Sequence, residues 1–256
     1  MLARLVPPLI LGLFLSAVAQ ADALLRFTDS EGDHSEILVK GPYARMDIVN
    51  GGSGGSGFML FNADDRSLYI VDQGSRTYMA FDERAIDAQM QAMDRMIADM
   101  RAQIQQLPAE ARAEMEAQMG LGVESGPLTV EQEVTGRREH DIGNLRCQET
   151  EIIVGERVRS IACVAAPGEL GLSPRDFGTF HSLMGHLFDL SRRALDAGGP
   201  LARAMGSNVM PPLDGVPLEV RDVHDGVTTR LAGVSTDTLS PEFFRIPPNY
   251  RERDPL

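Results

Sequence analysis

Cys147-Gln-Glu-Thr-Glu-Ile-Ile-Val154, then Gly155-Glu156, then Arg157-Val-Arg-Ser-Ile-Ala-Cys163-Val164 sets two β-rich runs around a glycine and reads as a β-hairpin. A turn centred on Gly155 places Cys147 opposite Cys163 and Glu151 opposite Arg159, an opposite-charge cross-strand pair. The same register gathers Thr150, Ile152, Val154, Val158, Ala162 and Val164 on one apolar face and leaves the cysteines on the polar face. A two-residue Gly155-Glu156 turn slips the pairing by one and sends the two sulfurs to opposite faces, so the centred turn is expected. The chain has two cysteines, which predicts one disulfide, Cys147 to Cys163. It closes a loop of about 16 residues, worth about 3 kcal/mol of chain entropy. No Cys-x-x-Cys is present, which favours a structural staple over redox chemistry.

Upstream of the hairpin, short β-rich runs follow one another at hairpin distances: Leu24 to Thr28, Ser35 to Val39, Ala44 to Val49, Phe58 to Phe61, Ser67 to Val71 and Thr77 to Phe81. A second set comprises Leu128 to Thr135, the cysteine hairpin, Leu218 to Val223 and Val227 to Val234. Roughly ten strands of this kind predict an α+β protein built on a large curved antiparallel β-sheet, a half-barrel with helices on its concave face.

Two helical regions interrupt the strands. In the first, Ile86, Met90, Met93, Ile97, Met100, Ile104 and Leu107 recur at alternating steps of 4 and 3, a heptad seam. Pro108 breaks this helix and Ala109 to Met119 resumes it, so an inserted Met-rich helical hairpin is expected over 82–119. In the second, Ser173 is the N-cap, Pro174 the first helical residue and Asp176 the closing member of a capping box. Phe177, Phe180, Met184, Leu187, Phe188 and Leu195 form its apolar face, and Gly198-Gly199-Pro200 is expected to stop it. A Pro-, Gly- and Met-containing stretch then runs to about Pro217, long enough for a lid.

The N-terminus begins Met-Leu-Ala-Arg and continues in an apolar core from Leu5 to Val18, too short to span a bilayer. Two overlapping small-x-small sites follow, Ala19-Gln20-Ala21 and Ala21-Asp22-Ala23. This predicts a signal peptide over 1–23, cut before Asp22 or before Leu24, and a periplasmic or secreted product without stable membrane insertion. Residues 24–256 are expected to form a single α+β domain. The formal net charge of −13 argues against nucleic acid and anionic headgroups as partners.

Several tempting motifs lack their context. Gly52-Ser-Gly-Gly-Ser-Gly57 matches a dinucleotide-binding pattern and Gly51-Gly-Ser53-Gly-Gly55 a nucleophile elbow, but each needs a helix next, whereas Phe58 to Phe61 reads as a strand. Met90, Met93, Met96 and Met100 could offer thioether ligands to copper, yet three of them share the apolar seam and are explained by helix packing. His181 and His186 sit about 140° apart around their helix, too far to share a metal alone, with His181 at the apolar border and His186 pointing to solvent. No catalytic constellation emerges, so the expectation is a non-enzyme with no cofactor and no metal.

A family resemblance rests on Tyr43-Ala-Arg-Met-Asp47, Ser67-Leu-Tyr-Ile-Val-Asp72 with Thr77-Tyr78, Ile142-Gly-Asn-Leu-Arg-Cys147, Gly215-Val-Pro-Leu218 and Phe243-Phe-Arg-Ile-Pro-Pro-Asn-Tyr250. In these the chain resembles the secreted bacterial family called domain of unknown function 4412, itself similar in pattern to periplasmic lipoprotein carriers. The resemblance implies a curved sheet sheltering acyl chains and no catalytic residues; the heptad insertion departs from the family's compact pattern. The expected function is binding of a lipid or other hydrophobic ligand in a cavity lined by Phe177, Phe180, Met184, Leu187 and Phe188. The alternatives are envelope protein–protein interaction through the Ile86-to-Leu107 seam and copper handling.

Overall fold

The computed structural model describes residues 22–49, 57–81, 83–118, 129–136, 145–204 and 210–253. The first meander is β1 (Ala23–Asp29), β2 (His34–Lys40), β3 (Tyr43–Val49), β4 (Gly57–Asn62), β5 (Ser67–Asp72) and β6 (Thr77–Ala80). Helices α1 (Glu83–Gln105) and α2 (Ala109–Gln118) follow, separated at Pro108 as expected. The second meander, β7 (Val130–Gly136), β8 (Gln148–Val154), β9 (Arg157–Ala165), β10 (Val216–Asp222) and β11 (Thr228–Ser235), is interrupted by α3 (Pro174–Ala204). A two-residue strand, β12 (Arg251–Glu252), ends the described chain and had no signal in the alternation pattern.

The twelve strands form one open sheet in the order β12-β6-β5-β4-β3-β2-β1-β11-β10-β9-β8-β7. Its neighbours are antiparallel except β12 and β6, which run parallel. The two meanders meet where β1 pairs with β11, Leu25 opposite Val234 and Phe27 opposite Leu231. On its other side β1 pairs with β2, Leu25 opposite Ile37.

Alternation along the strands divides the sheet into two covered faces. One carries Leu25, Phe27, Ile37, Val39, Phe61 and Leu68, which pack with Phe180 and Leu183 of α3. The other carries Phe58, Leu60 and Val71, which pack with Tyr69, Tyr78 and the C-terminal Ile246 and Tyr250. The Arg45 guanidinium stacks 3.8 Å from the Phe58 ring centroid and donates to the Phe243 carbonyl at 3.2 Å, with Asp47 balancing its charge at 2.7 Å. The C-terminal segment is thereby strapped over the face that α3 leaves uncovered.

The cysteine hairpin forms and the bridge is present, but in a different register from the one expected. Gly155 and Glu156 make a two-residue turn, Val154 pairing with Arg157. Gly155 has φ +67°, the left-handed conformation that primed hairpin turns need at this position. A bulge between Ile152 and Ile153 then restores the parity the short turn would have lost, so that Ile152 pairs with Ser160 and Glu149 with Cys163. Cys147 lies just ahead of β8, its Cα 5.3 Å from that of Cys163. Glu151 consequently faces Ile161 instead of Arg159. The bridge also sits in the main core, with Cys147 buried near Leu170 and Leu172, and not on a polar face. The other side of the hairpin forms a separate cluster of Ile152, Ala162 and Leu213.

The start of α3 follows the sequence closely. Ser173 Oγ accepts from the Asp176 backbone N–H at 3.1 Å, the N-cap bond of a capping box, and donates back to the Asp176 carboxylate, so the reciprocal bond runs between the two side chains. Its end does not: the helix continues through Gly198, Gly199 and Pro200 to Ala204. Extending an existing helix carries no nucleation cost, so glycines at about 1 kcal/mol each and a proline at about 3 kcal/mol weaken the last turns without ending them.

Two outcomes test these contacts. Replacing both cysteines, Cys147→Ser with Cys163→Ser, is expected to lower unfolding free energy by about 3 kcal/mol, read by urea denaturation with the wild type in reductant as a parallel measurement. Gly215 enters β10 so close to β9 that an added Cβ would collide with the Ala165 carbonyl oxygen and Val164 Cγ1. Gly215→Ala is expected to cost about 3 kcal/mol, the upper end for overpacking, because the main obstacle is backbone.

Candidate functional site

Between α3 and the sheet lies a cavity of about 440 Å³. From α3, Phe180, Met184, Leu187 and Phe188 line it, four of the five residues the apolar helix face predicted. Phe177 does not line it; its half-buried ring packs 6.3 Å from Phe180 and 5.8 Å from His181, against the main core. The opposite wall comes from the sheet: Phe27 of β1, Ile37 of β2, Met46 of β3 and Val220 of β10, with Met210 closing one side. Reading the helix alone missed this wall, although the alternation in β1 to β3 already places Phe27 and Ile37 on the face that Leu25 and Val39 share.

One edge of the cavity is polar. Ser35, Ser160, Ser191 and Thr229 contribute hydroxyls, and Asp222 is the one charged group among the described lining residues. Asp222 Oδ1 accepts from the backbone N–H groups of His224 at 2.7 Å and Asp225 at 3.2 Å. Its Oδ2 lies 3.3 Å from Arg159 Nη2, close enough for an ion pair but not aligned as a hydrogen bond. An apolar chamber with a few hydroxyls and one fixed charge at its margin can hold a greasy body and orient a polar end.

Met210 belongs to the stretch before β10 in which a lid was expected. Residues 205–209 lie outside the described residues, but Met210 to Gly215 are packed in place: Leu213 is buried with Ile152 and Ala162, and the Pro212 carbonyl accepts from Gln132 Nε2 of β7 at 3.0 Å.

A second hollow, about 510 Å³, runs along the other flank of α3 and includes Arg66, His181, His186 and Asp189. His186 was expected in solvent; instead its ring packs 5.4 Å from Phe61 and its Nδ1 accepts from Arg66 Nη2 at 3.3 Å. That bond puts the neutral ring's proton on Nε2, which is buried with no acceptor among the described residues. A third hollow beside the disulfide, about 550 Å³, is larger but has Arg146, Glu169, Gln132 and Asp214 in its walls. Apolar character therefore singles out the cavity under α3.

The seam residues are less fully placed. α1 lies against α3, Ile104 is buried, Met100 and Leu107 are half-buried, and the off-seam Met96 is exposed. The side chains of Ile86, Met90, Met93 and Ile97 lie outside the described residues, as do the glycine-rich loop before Gly57 and the N-terminal 21 residues. Gly57 itself opens a strand, β4, so the helix that either glycine motif requires does not follow. No described helix is long and apolar enough to cross a membrane, and no cluster of three His, Cys, Asp or Glu that could hold a metal occurs among the described residues.

No family model and no curated protein matches the chain. Among solved structures it is similar to an uncharacterized conserved protein from Thermus thermophilus, at 6% identity and a TM-score of 0.44, over 92% of this chain and 91% of that one.

Burial, followed by the Arg66 cation, holds the His186 imidazole below its usual range against an opposing pull from Asp189. Because the folded value is depressed, the unfolded chain takes up the proton first as pH falls, so this stabilising contribution is lost as the solution is acidified through and below the ordinary histidine range. The thermal midpoint should therefore fall more between about pH 7.5 and about pH 5.5 in the wild type than in His186→Gln. Equal falls would show that His186 titrates as it does in the unfolded chain.

Proposed function

We propose that this is an exported, periplasmic or secreted binding protein that shelters a lipid or similar hydrophobic ligand between α3 and the concave face of a sheet curved as a half-barrel, in the manner of periplasmic lipoprotein carriers. The observation that carries the reading is the cavity of about 440 Å³ walled by Phe27, Ile37, Met46, Phe180, Met184 and Leu187. Ligand pockets fall in this volume range and have this mostly apolar lining, with few polar groups. Export is supported by the N-terminal apolar core with its two small-x-small sites and by the Cys147–Cys163 bridge, a bond that persists in oxidising compartments.

Pairing through the α1 seam is the weaker reading, because α1 already rests on α3 and its buried Ile104 has no free face to offer. Copper handling rests on the methionine run of the sequence, Met90, Met93, Met96 and Met100.

Native mass spectrometry and organic extraction of the protein purified from an exporting host test the binding reading together. A co-purifying hydrophobic molecule is expected, and extracts with nothing above background count against it. Filling the cavity with Met184→Trp should weaken binding of the apolar fluorophore N-phenylnaphthylamine by about tenfold, close to 1.4 kcal/mol. Met96→Trp, at an exposed position on α1, should leave that binding unchanged. Equal affinity in wild type and Met184→Trp would place the probe elsewhere and remove the cavity from the proposal.

A further inference from the structure

The two overlapping small-x-small sites end at Ala21 and at Ala23, and sequence alone does not separate them. The fold does. Asp22 is only 4% exposed, and its Oδ2 accepts from Lys40 Nζ at 2.6 Å and from the backbone N–H of Leu239 at 2.7 Å. Lys40 ends β2, and Leu239 lies between β11 and the C-terminal strap. A single carboxylate oxygen thus ties the start of β1 to the neighbouring strand and to the segment that crosses to the opposite face. Ala23, 1% exposed, is the first rung of β1, opposite Val39.

We propose that the leader is removed at the Ala21–Asp22 peptide bond and that Asp22 is the N-terminal residue of the functional protein; this rests on the export reading above. The reaction is hydrolysis: water adds across the bond, Ala21 leaves with the new carboxylate and Asp22 keeps the new α-ammonium. That ammonium arises next to the Asp22 carboxylate, an opposite charge.

A cut after Ala23 has a different result. It removes the acceptor of Lys40 Nζ and of the Leu239 N–H, and polar groups that lose a partner in a buried place keep the cost of their desolvation. It also deletes the Ala23–Val39 rung and sets an α-ammonium at Leu24, between Leu38 on β2 and Ser235 on β11. Both sites satisfy the peptidase's demand for small residues, but only the first product retains the pin.

The test is the intact mass and N-terminal sequence of the folded protein recovered from a host that exports the full chain. A chain beginning at Asp22 is expected. A chain beginning at Leu24 overturns the site while leaving export standing, and an unprocessed chain beginning at Met1 overturns the export reading and this site with it. The pin is checked separately by Asp22→Ala, which leaves Ala19-Gln20-Ala21 intact. Its thermal midpoint should drop by about 5 °C or more, and an unchanged midpoint would remove the reason for preferring the first cut.

Discussion

The pairing of β1 with β11 is the contact on which the rest of the molecule depends. Each meander pairs strands that follow one another in order, with β9 and β10 joined across α3, but one strand from each must meet for the chain to hold a single sheet. β1 is that strand, with β2 on one side and β11 on the other. Leu25 is fully buried where the ladders meet, and a register irregularity between Arg26 and Phe27 adjusts the junction to β11. This join links residues some two hundred positions apart, so its loop-closure entropy is met only after most of the chain is in place. The cavity inherits the dependence, since Phe27 from the first meander and Val220 from the second line the same space.

A sheet joined in this way has two faces to cover, and different parts of the chain cover them. α3 takes the face of Leu25, Ile37 and Phe61. The C-terminal segment takes the other, held by Arg45 between Phe58 and Phe243 and by Ile246 and Tyr250 against Val71. Its last two strand residues pair in parallel with β6, which shortens an otherwise open edge. Asp22 fixes where this segment departs from the end of the second meander, by accepting from the Leu239 N–H.

Most strands were legible because one or both faces are buried and the side chains alternate accordingly; β1 through β5 fall within a residue or two of the runs read from Leu24 to Val71. The capping box of α3 was legible because Ser173, Pro174 and Asp176 act within one turn of chain. What failed was non-local or depended on cost. The Gly198-Gly199-Pro200 stop assumed that a penalty on helix extension is a prohibition. The sheet wall of the cavity was missed because nothing in the helix sequence names which strands lie beneath it. β12 had no signal because two residues, Arg251 and Glu252, give no alternation to read, and their partners Thr77 and Tyr78 lie far away in the sequence.

The cysteine hairpin departs from a regular ladder for a local reason. In a regular ladder a two-residue turn would separate the sulfurs, and a centred turn would keep them on one face. The protein keeps the two-residue turn that Gly155 favours and corrects the parity a few residues later with a bulge. The unopposed residue of that bulge is Arg159, which lies between Val158 and Ser160 in a register that gives it no partner on β8. Freed from the ladder on that side, Arg159 reaches toward β10: its carbonyl accepts from the Val223 N–H at 2.9 Å and its guanidinium lies 3.3 Å from Asp222. One extra residue thus keeps Cys163 within reach of Cys147 at one end of β9 and supplies the counter-charge for Asp222 at the other. A turn change that abolished the bulge would disturb the bridge and the polar edge together, which makes the hairpin as much a part of the cavity as α3.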